Sequence, residues 1–162
     1  LQPKINQGKI SAEGFRFAIL ASRWNETLVS RLIEGAVEVL EEHGAVEENI
    51  EIFRVPGAYE IPLAAQKIAE AGKWDAIICL GTVIRGDTPH FDLVANAASE
   101  GATRVSLDTG VPVLMGVIAA NNIQQAVDRS GKREHNKGFE AAMAAIEVVN
   151  LYKDMESERQ NF

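Results

Sequence analysis

A single cysteine in 162 residues excludes a disulfide framework, and that cysteine, Cys79, sits inside the apolar run Ala76-Ile77-Ile78-Cys79-Leu80. A thiol in such a run reads as buried structure, because no charged or polar neighbour in the run would activate it. The cytosol is the expected compartment, a plastid after loss of a transit peptide being the alternative. Basic residues are also scarce: 16 Lys and Arg stand against 23 Asp and Glu, for a net charge of −7. A phosphate backbone needs a basic surface, so no nucleic acid partner is expected, and any anionic ligand requires a local positive site. No apolar stretch approaches the ~20 residues of a membrane span, and no signal-peptide core opens the chain, so no membrane partner is expected either. Aromatic residues make up 6% of the chain against an apolar share of 46%. An aliphatic core with few rings suits helices on a sheet better than an all-β sandwich.

What is present is an alternation of short β-type runs and longer helical patterns. Phe15 to Ala21 and Ile50 to Val55 read as strands, the second alternating in polarity and so nearer an edge. Ala76 to Leu80 and Val113 to Ala119 are almost wholly apolar, as expected of central parallel strands covered on both faces. Glu26 to His43 carries Leu28, Leu32, Ile33, Ala36, Val37 and Leu40 on one stripe, with Gly44 where the helix stops. Further helices are expected over Ile61–Ala71, Phe91–Leu107, Ile123–Arg129 and from about Lys137 to Tyr152. The order predicts an α/β protein: a three-layer α/β/α sandwich of flavodoxin-like type, with a four-stranded, mainly parallel central sheet and right-handed crossovers. One domain over residues 1–162 is expected, with an N-terminal extension over about 1–13 and a polar, frayed tail over about 155–162. Ala141, Ala142, Ala144 and Ala145 make the last helix small on nearly all sides. That smallness serves either helix propensity alone or close packing against neighbouring subunits.

In such a fold ligands bind at the carboxyl ends of the strands, and the loops there carry unusual residues. After the first strand comes Arg23-Trp24-Asn25, where Trp24 either covers the core or stacks on a planar ligand. Trp74 stands before a strand, on the wrong edge, and reads as packing. After the second comes Pro56-Gly57-Ala58-Tyr59-Glu60-Ile61-Pro62. Gly57 permits close backbone approach. Glu60 either accepts hydrogen bonds from ligand hydroxyls or simply complements a helix start. After the third comes Gly81-Thr82-Val83-Ile84-Arg85-Gly86, then Asp87-Thr88-Pro89-His90-Phe91. Thr88 before Pro89 reads as an N-cap with proline at the first helical position, so Gly86, Asp87 and Thr88 offer amides to a phosphate. The same segment places His90 in the first helical turn beside that phosphate cradle, a position suited to general acid–base work. His43 and His135 lack such a setting and read as surface residues. After the fourth strand come an N-cap signal, Asn121-Asn122, and the basic run Arg129 to Gly138, which either complements a ligand phosphate or is a solvated loop. Nothing has metal-ligand spacing, and neither a P-loop nor a dinucleotide fingerprint occurs.

Arg23-Trp24-Asn25, the Pro56–Pro62 segment, Gly81–Gly86, Thr88-Pro89-His90-Phe91 and Asn136-Lys137-Gly138 together resemble the 6,7-dimethyl-8-ribityllumazine synthase family, in order from about Phe15 to Leu151. The resemblance implies a cofactor-independent transferase of riboflavin biosynthesis. It condenses 5-amino-6-(D-ribitylamino)uracil with 3,4-dihydroxy-2-butanone 4-phosphate, releasing phosphate and water. By the same resemblance Trp24, more often phenylalanine in the family, stacks on the pyrimidine, with Asn25 beside it. Gly57, Ala58 and Tyr59 line the ring and ribityl chain, and Glu60 accepts from ribityl hydroxyls. Val83 and Ile84 contact the pyrimidine through their backbones, and Lys137 also approaches it. Gly86, Asp87, Thr88 and Arg129 hold the phosphate, and His90 transfers protons. Sites shared between subunits of a homopentamer are implied, with Met115, Arg129 and Lys137 coming from the neighbouring chain. An icosahedral shell, with riboflavin synthase as a partner, is the implied larger assembly. The uninterrupted Arg129-to-Lys137 spacing fits it, whereas His135 stands where shell-formers commonly have glycine and Met115 where phenylalanine is common. A non-catalytic flavin- or nucleotide-binding module is the rival reading, since this fold hosts many functions.

Overall fold

The computed structural model describes residues 2–160. Its elements run β1 (Phe17–Ser22), α1 (Glu26–Glu42), β2 (Ile50–Val55), α2 (Ile61–Glu70), β3 (Ala76–Ile84), α3 (His90–Thr109), β4 (Val113–Ala120), α4 (Ile123–Asp128) and α5 (Lys137–Gln160). The four strands form one all-parallel sheet in the order β2-β1-β3-β4. The chain therefore starts in the middle, adds β2 on one side and then β3 and β4 on the other. The reversal creates a crevice between the carboxyl ends of β1 and β3.

Period-two alternation divides β1 and β3 between two cores. Phe17, Ile19 and Ala21, with Ile78 and Leu80, pack under α1 and α5. Ala18 and Leu20, with Ile77 and Cys79, pack under α2 and α3. Burying each such Leu or Ile contributes ~1.5–3 kcal/mol, and truncating Leu32 or Ile78 to alanine costs ~2–5 kcal/mol. Trp74 closes the floor of the second core, edge-on to Phe53 with centroids 6.1 Å apart. It packs there, as its position before β3 suggested.

Several boundaries and one strand position differ from expectation. The first strand begins at Phe17, because Arg16 instead exchanges bonds with Asp75: its N–H donates to Oδ2 at 2.7 Å and its carbonyl accepts from the Asp75 N–H at 2.8 Å. β3 does not stop at Leu80 but runs to Ile84, since β4 continues beside it with Ile84 opposite Ala120. β4 is an edge strand rather than a central one, and much of it is only half-buried. Helix α3 begins at His90 with Pro89 in the cap position, one residue later than the Thr88-Pro89 signal suggested. Thr88 Oγ1 still accepts from the His90 N–H at 3.4 Å. Helix α5 passes Tyr152 and continues to Gln160, so the expected frayed tail is helical that far. Asn161 and Phe162 lie outside the described residues.

The alanines of α5 have a use within the chain. Ala141, Ala142 and Ala145 are buried in the core that α5 shares with α1 and the sheet. A β-carbon at Gly116 of β4 would lie 3.2 Å from that of Ala141. Small residues on both partners bring helix and strand together. The extension before β1 has no regular structure but lies along α5: the Asn150 amide donates to the Ser11 carbonyl at 2.8 Å, and Lys4 pairs with Glu158 at 3.0 Å. No helix among the described residues is long and apolar enough to cross a membrane.

Candidate active site

The loops after β1 and β2 are knitted into one unit. Arg23 N–H donates to the Val55 and Pro56 carbonyls, at 2.8 and 3.1 Å, and Trp24 N–H donates to Pro56 at 3.1 Å. This places the Trp24 indole over Gly57, where an added β-carbon would be 2.5 Å from two ring carbons. Gly57 thus gives its space to a side chain of this protein. The ring stays 63% exposed, so its outer face is free to stack, and it does not serve as a core cover. Ala58 is buried beneath, while Tyr59, also 63% exposed, stands at the rim. Glu60 is exposed, and its Oε2 accepts from the Gly57 N–H at 3.1 Å. That bond orients the carboxylate beside the indole.

Asn25 is left-handed, with φ 65° and ψ 47°, and its Nδ2 donates to the Thr82 carbonyl at 3.0 Å. The bond spans the crevice from the β1 loop to β3. Beyond it β3 outruns β1. Arg85 N–H goes to the Ala120 carbonyl at 2.8 Å, on the β4 side. Parallel strands alternate the direction of successive peptide groups, so Ile84 faces the crevice and Val83 faces β4. Gly86, Asp87, Thr88 and His90 follow, all exposed at the start of α3. Arg85 braces this loop. Its Nε donates to Asn121 Oδ1 at 3.0 Å, its guanidinium lies 3.4 Å from Asp92, and it sits 4.3 Å above the Phe91 ring. Sequence reasoning missed this brace, which only the folded loop brings together. Ser22 Oγ and Thr82 Oγ1, at the ends of β1 and β3, are buried without a hydrogen-bond partner.

Arg129 and Lys137 lie elsewhere. They line a cleft of about 580 Å³ against Val117 and Ala119 of the edge strand β4, together with Asp128, His135 and Glu140. Lys137 Nζ is 3.4 Å from Glu140, and Arg129 Nη1 donates to the Gln125 carbonyl at 3.2 Å. Met115 is half-buried on the same strand. Within one chain this group occupies one edge of the sheet, and the Trp24–Gly57–Glu60 group lies toward the other. Two strand spacings, about 10 Å, separate β1 from β4 in the strand order.

Asn122 caps α4 as its sequence signal predicted, accepting from the Gln125 N–H at 2.9 Å. In the turn before α5 the left-handed residue is Arg133, at φ 51°. His135 carries no such strain. Arg133 is held by Glu38 and Glu42 at 3.2 and 3.0 Å and lies 5.0 Å over the Phe139 ring. Its hydrogen bond holds the Glu42 carboxyl below the usual range.

The sequence of residues 14–153 matches a family model, that of 6,7-dimethyl-8-ribityllumazine synthase. The chain belongs to that family. Two relatives carrying the same name, both from Clostridium kluyveri, are each 50% identical over 153 residues, spanning 94% of this chain and 99% of their own. The match takes in every candidate residue of the lumazine synthase site, from Trp24 to Lys137.

Proposed function

We propose that this chain forms 6,7-dimethyl-8-ribityllumazine, the penultimate step of riboflavin biosynthesis, from 5-amino-6-(D-ribitylamino)uracil and 3,4-dihydroxy-2-butanone 4-phosphate. The observation that carries this reading is the family match over residues 14–153. The geometry supports it in detail: an exposed indole, an oriented carboxylate and a loop of amides at a helix start surround one crevice.

The uracil lies on Trp24, with its polar edge toward the open backbone of Ile84 and its ribityl hydroxyls toward Glu60. The Gly86–Thr88 amides receive the butanone phosphate at the positive end of α3. The uracil's 5-amino group attacks the ketone, and loss of water gives the imine. Loss of a carbon-bound proton then expels phosphate, leaving an enol that tautomerises to a ketone. The ribitylamino nitrogen attacks that ketone, and loss of a second water closes the ring. His90 moves the protons, a role worth roughly 10²–10⁴ in rate. Holding the two substrates together contributes ~7–11 kcal/mol at most.

The sites lie between subunits of a homopentamer, and the pentamers close into an icosahedral shell able to associate with riboflavin synthase. Support comes from the separation of Arg129 and Lys137 from Trp24 within one chain, and from the uncovered apolar residues of β4. Leu63, Leu93 and Leu107, exposed at 62%, 68% and 80% on α2 and α3, also call for cover. Light scattering and negative-stain imaging test the assembly. The activity is tested by mixing both substrates with the purified oligomer and following lumazine fluorescence and phosphate release. Ligand binding without product from an intact oligomer overturns the enzyme reading in favour of a flavin or nucleotide binder.

A further inference from the structure

Between Arg129 and Lys137 the chain leaves α4, turns, and enters α5. The two cations are joined through the backbone, where Lys137 N–H donates to the Arg129 carbonyl at 2.8 Å. Asn136 lies one residue earlier and is buried, only 3% exposed. Its Oδ1 accepts from the Phe139 N–H at 3.0 Å, which caps α5. A cap needs only that acceptor. The Nδ2 makes two further bonds, donating at 2.9 Å to the carbonyls of Gly131 in the turn and of Arg31 on α1, 105 residues away in sequence. Gly35 of α1 makes room for this amide, since a β-carbon there would collide with it.

We propose that Asn136 is a positioning residue for Arg129: its amide locks the turn that follows Arg129 to α1, and so fixes where the guanidinium meets the substrate phosphate. The inference rests on the reading of Arg129 as the phosphate cation. Guanidinium–phosphate bonds are directional, so a turn that shifts loses contact with phosphate before it loses its fold. The capping bond and the two clasping bonds come from different atoms of one side chain, and this makes the roles separable.

Asn136→Ser keeps an acceptor for the Phe139 N–H and removes both clasping donors. The KM for the butanone phosphate and the inhibition constant of inorganic phosphate are expected to rise about tenfold. The KM for the uracil substrate and kcat should stay within about twofold, and Asn136→Ser should add little to Arg129→Ala, as for two residues acting as one unit. If Arg129→Ala raises the phosphate-substrate KM and Asn136→Ser does not, the positioning role is overturned and the phosphate reading stands. If neither substitution moves that KM, the phosphate reading falls and takes this inference with it. A fall in kcat with a parallel rise in both KM values and a lowered melting temperature identifies a general packing residue and also overturns the proposal. Should Asn136→Ser fail to fold, Gly35→Ala presses on the same amide from α1. The same selective rise is expected there, and a wild-type KM overturns the proposal.

Discussion

The indole of Trp24 rests on Gly57 so closely that a β-carbon on the glycine would lie 2.5 Å from two of its ring carbons. Gly57 has an extended backbone, φ −138° and ψ 177°, which alanine adopts freely. Gly57→Ala therefore displaces the ring without straining the chain. Pyrimidine affinity is expected to fall about tenfold, ~1.4 kcal/mol, with circular dichroism unchanged. Titration of tryptophan fluorescence with the uracil substrate measures it. Wild-type affinity would show that the ring is not the pyrimidine's platform.

Under the proposed function, His90 serves chemistry and Arg129 serves binding, and substitutions should separate the two. His90→Ala should lower kcat by about a hundredfold or more, while the pyrimidine dissociation constant stays near that of the native protein. Arg129→Ala should chiefly raise the KM for the phosphorylated substrate. Equal loss of turnover and pyrimidine binding in His90→Ala would count against a proton-transfer role. An Arg129→Ala effect confined to the pyrimidine would count against the phosphate assignment.

Sites divided between subunits can be reassembled from defective chains. Co-expressed His90→Ala and Arg129→Ala proteins, each impaired alone when assayed at a low concentration of the phosphorylated substrate, should form mixed rings in which about a quarter of interfaces combine two intact halves. Specific activity of the purified mixed oligomer measures this. No recovery would place both residues in a site built by one chain.

Burial pushes the Cys79 thiol up from 9.0 to about 12. The folded state thus retains a proton that the unfolded state releases. The resulting stability is present in full below pH 9.0 and is lost as the pH rises toward about 12. Native protein should not react with a thiol reagent at pH 8 and should react once denatured. Cys79→Ala should lower the unfolding free energy by ~1–2 kcal/mol at neutral pH and flatten the alkaline decline. Rapid labelling of native protein at pH 8 would contradict the burial argument.

The strands and helices were legible because period and polarity are local. Ile50–Val55 was readable to the residue, and the Asn122 cap followed from one side chain beside an apolar run. β3 was underestimated because Gly81 and Thr82 interrupt its apolar run, and only pairing with β4 carries it on to Ile84. The apolar run of β4 was read as a central strand covered on both faces, whereas the sheet order puts it at an edge, a difference that apolar content alone does not reveal. At the site, Trp24, Glu60 and His90 were visible as residue types unusual for connectors. The indole lying on Gly57, the Arg85 brace and the Asn136 clasp were not visible, since each joins segments whose proximity the fold creates. The left-handed residue in the final turn falls on Arg133 rather than on a glycine, and its two glutamates on α1 are remote in sequence.

Asn25 meets two demands that have nothing to do with each other. Its dihedral angles suit glycine, asparagine or aspartate, and its bond to the Thr82 carbonyl requires a donor. Glycine meets the first demand and not the second, aspartate replaces the donor with a repelling oxygen, and glutamine reaches the carbonyl from an unfavourable backbone. Only one of the twenty residues lies where the two requirements intersect. A saturation library at this position should therefore rank asparagine first, with glycine behind it by the ~0.5–1.5 kcal/mol of the lost hydrogen bond.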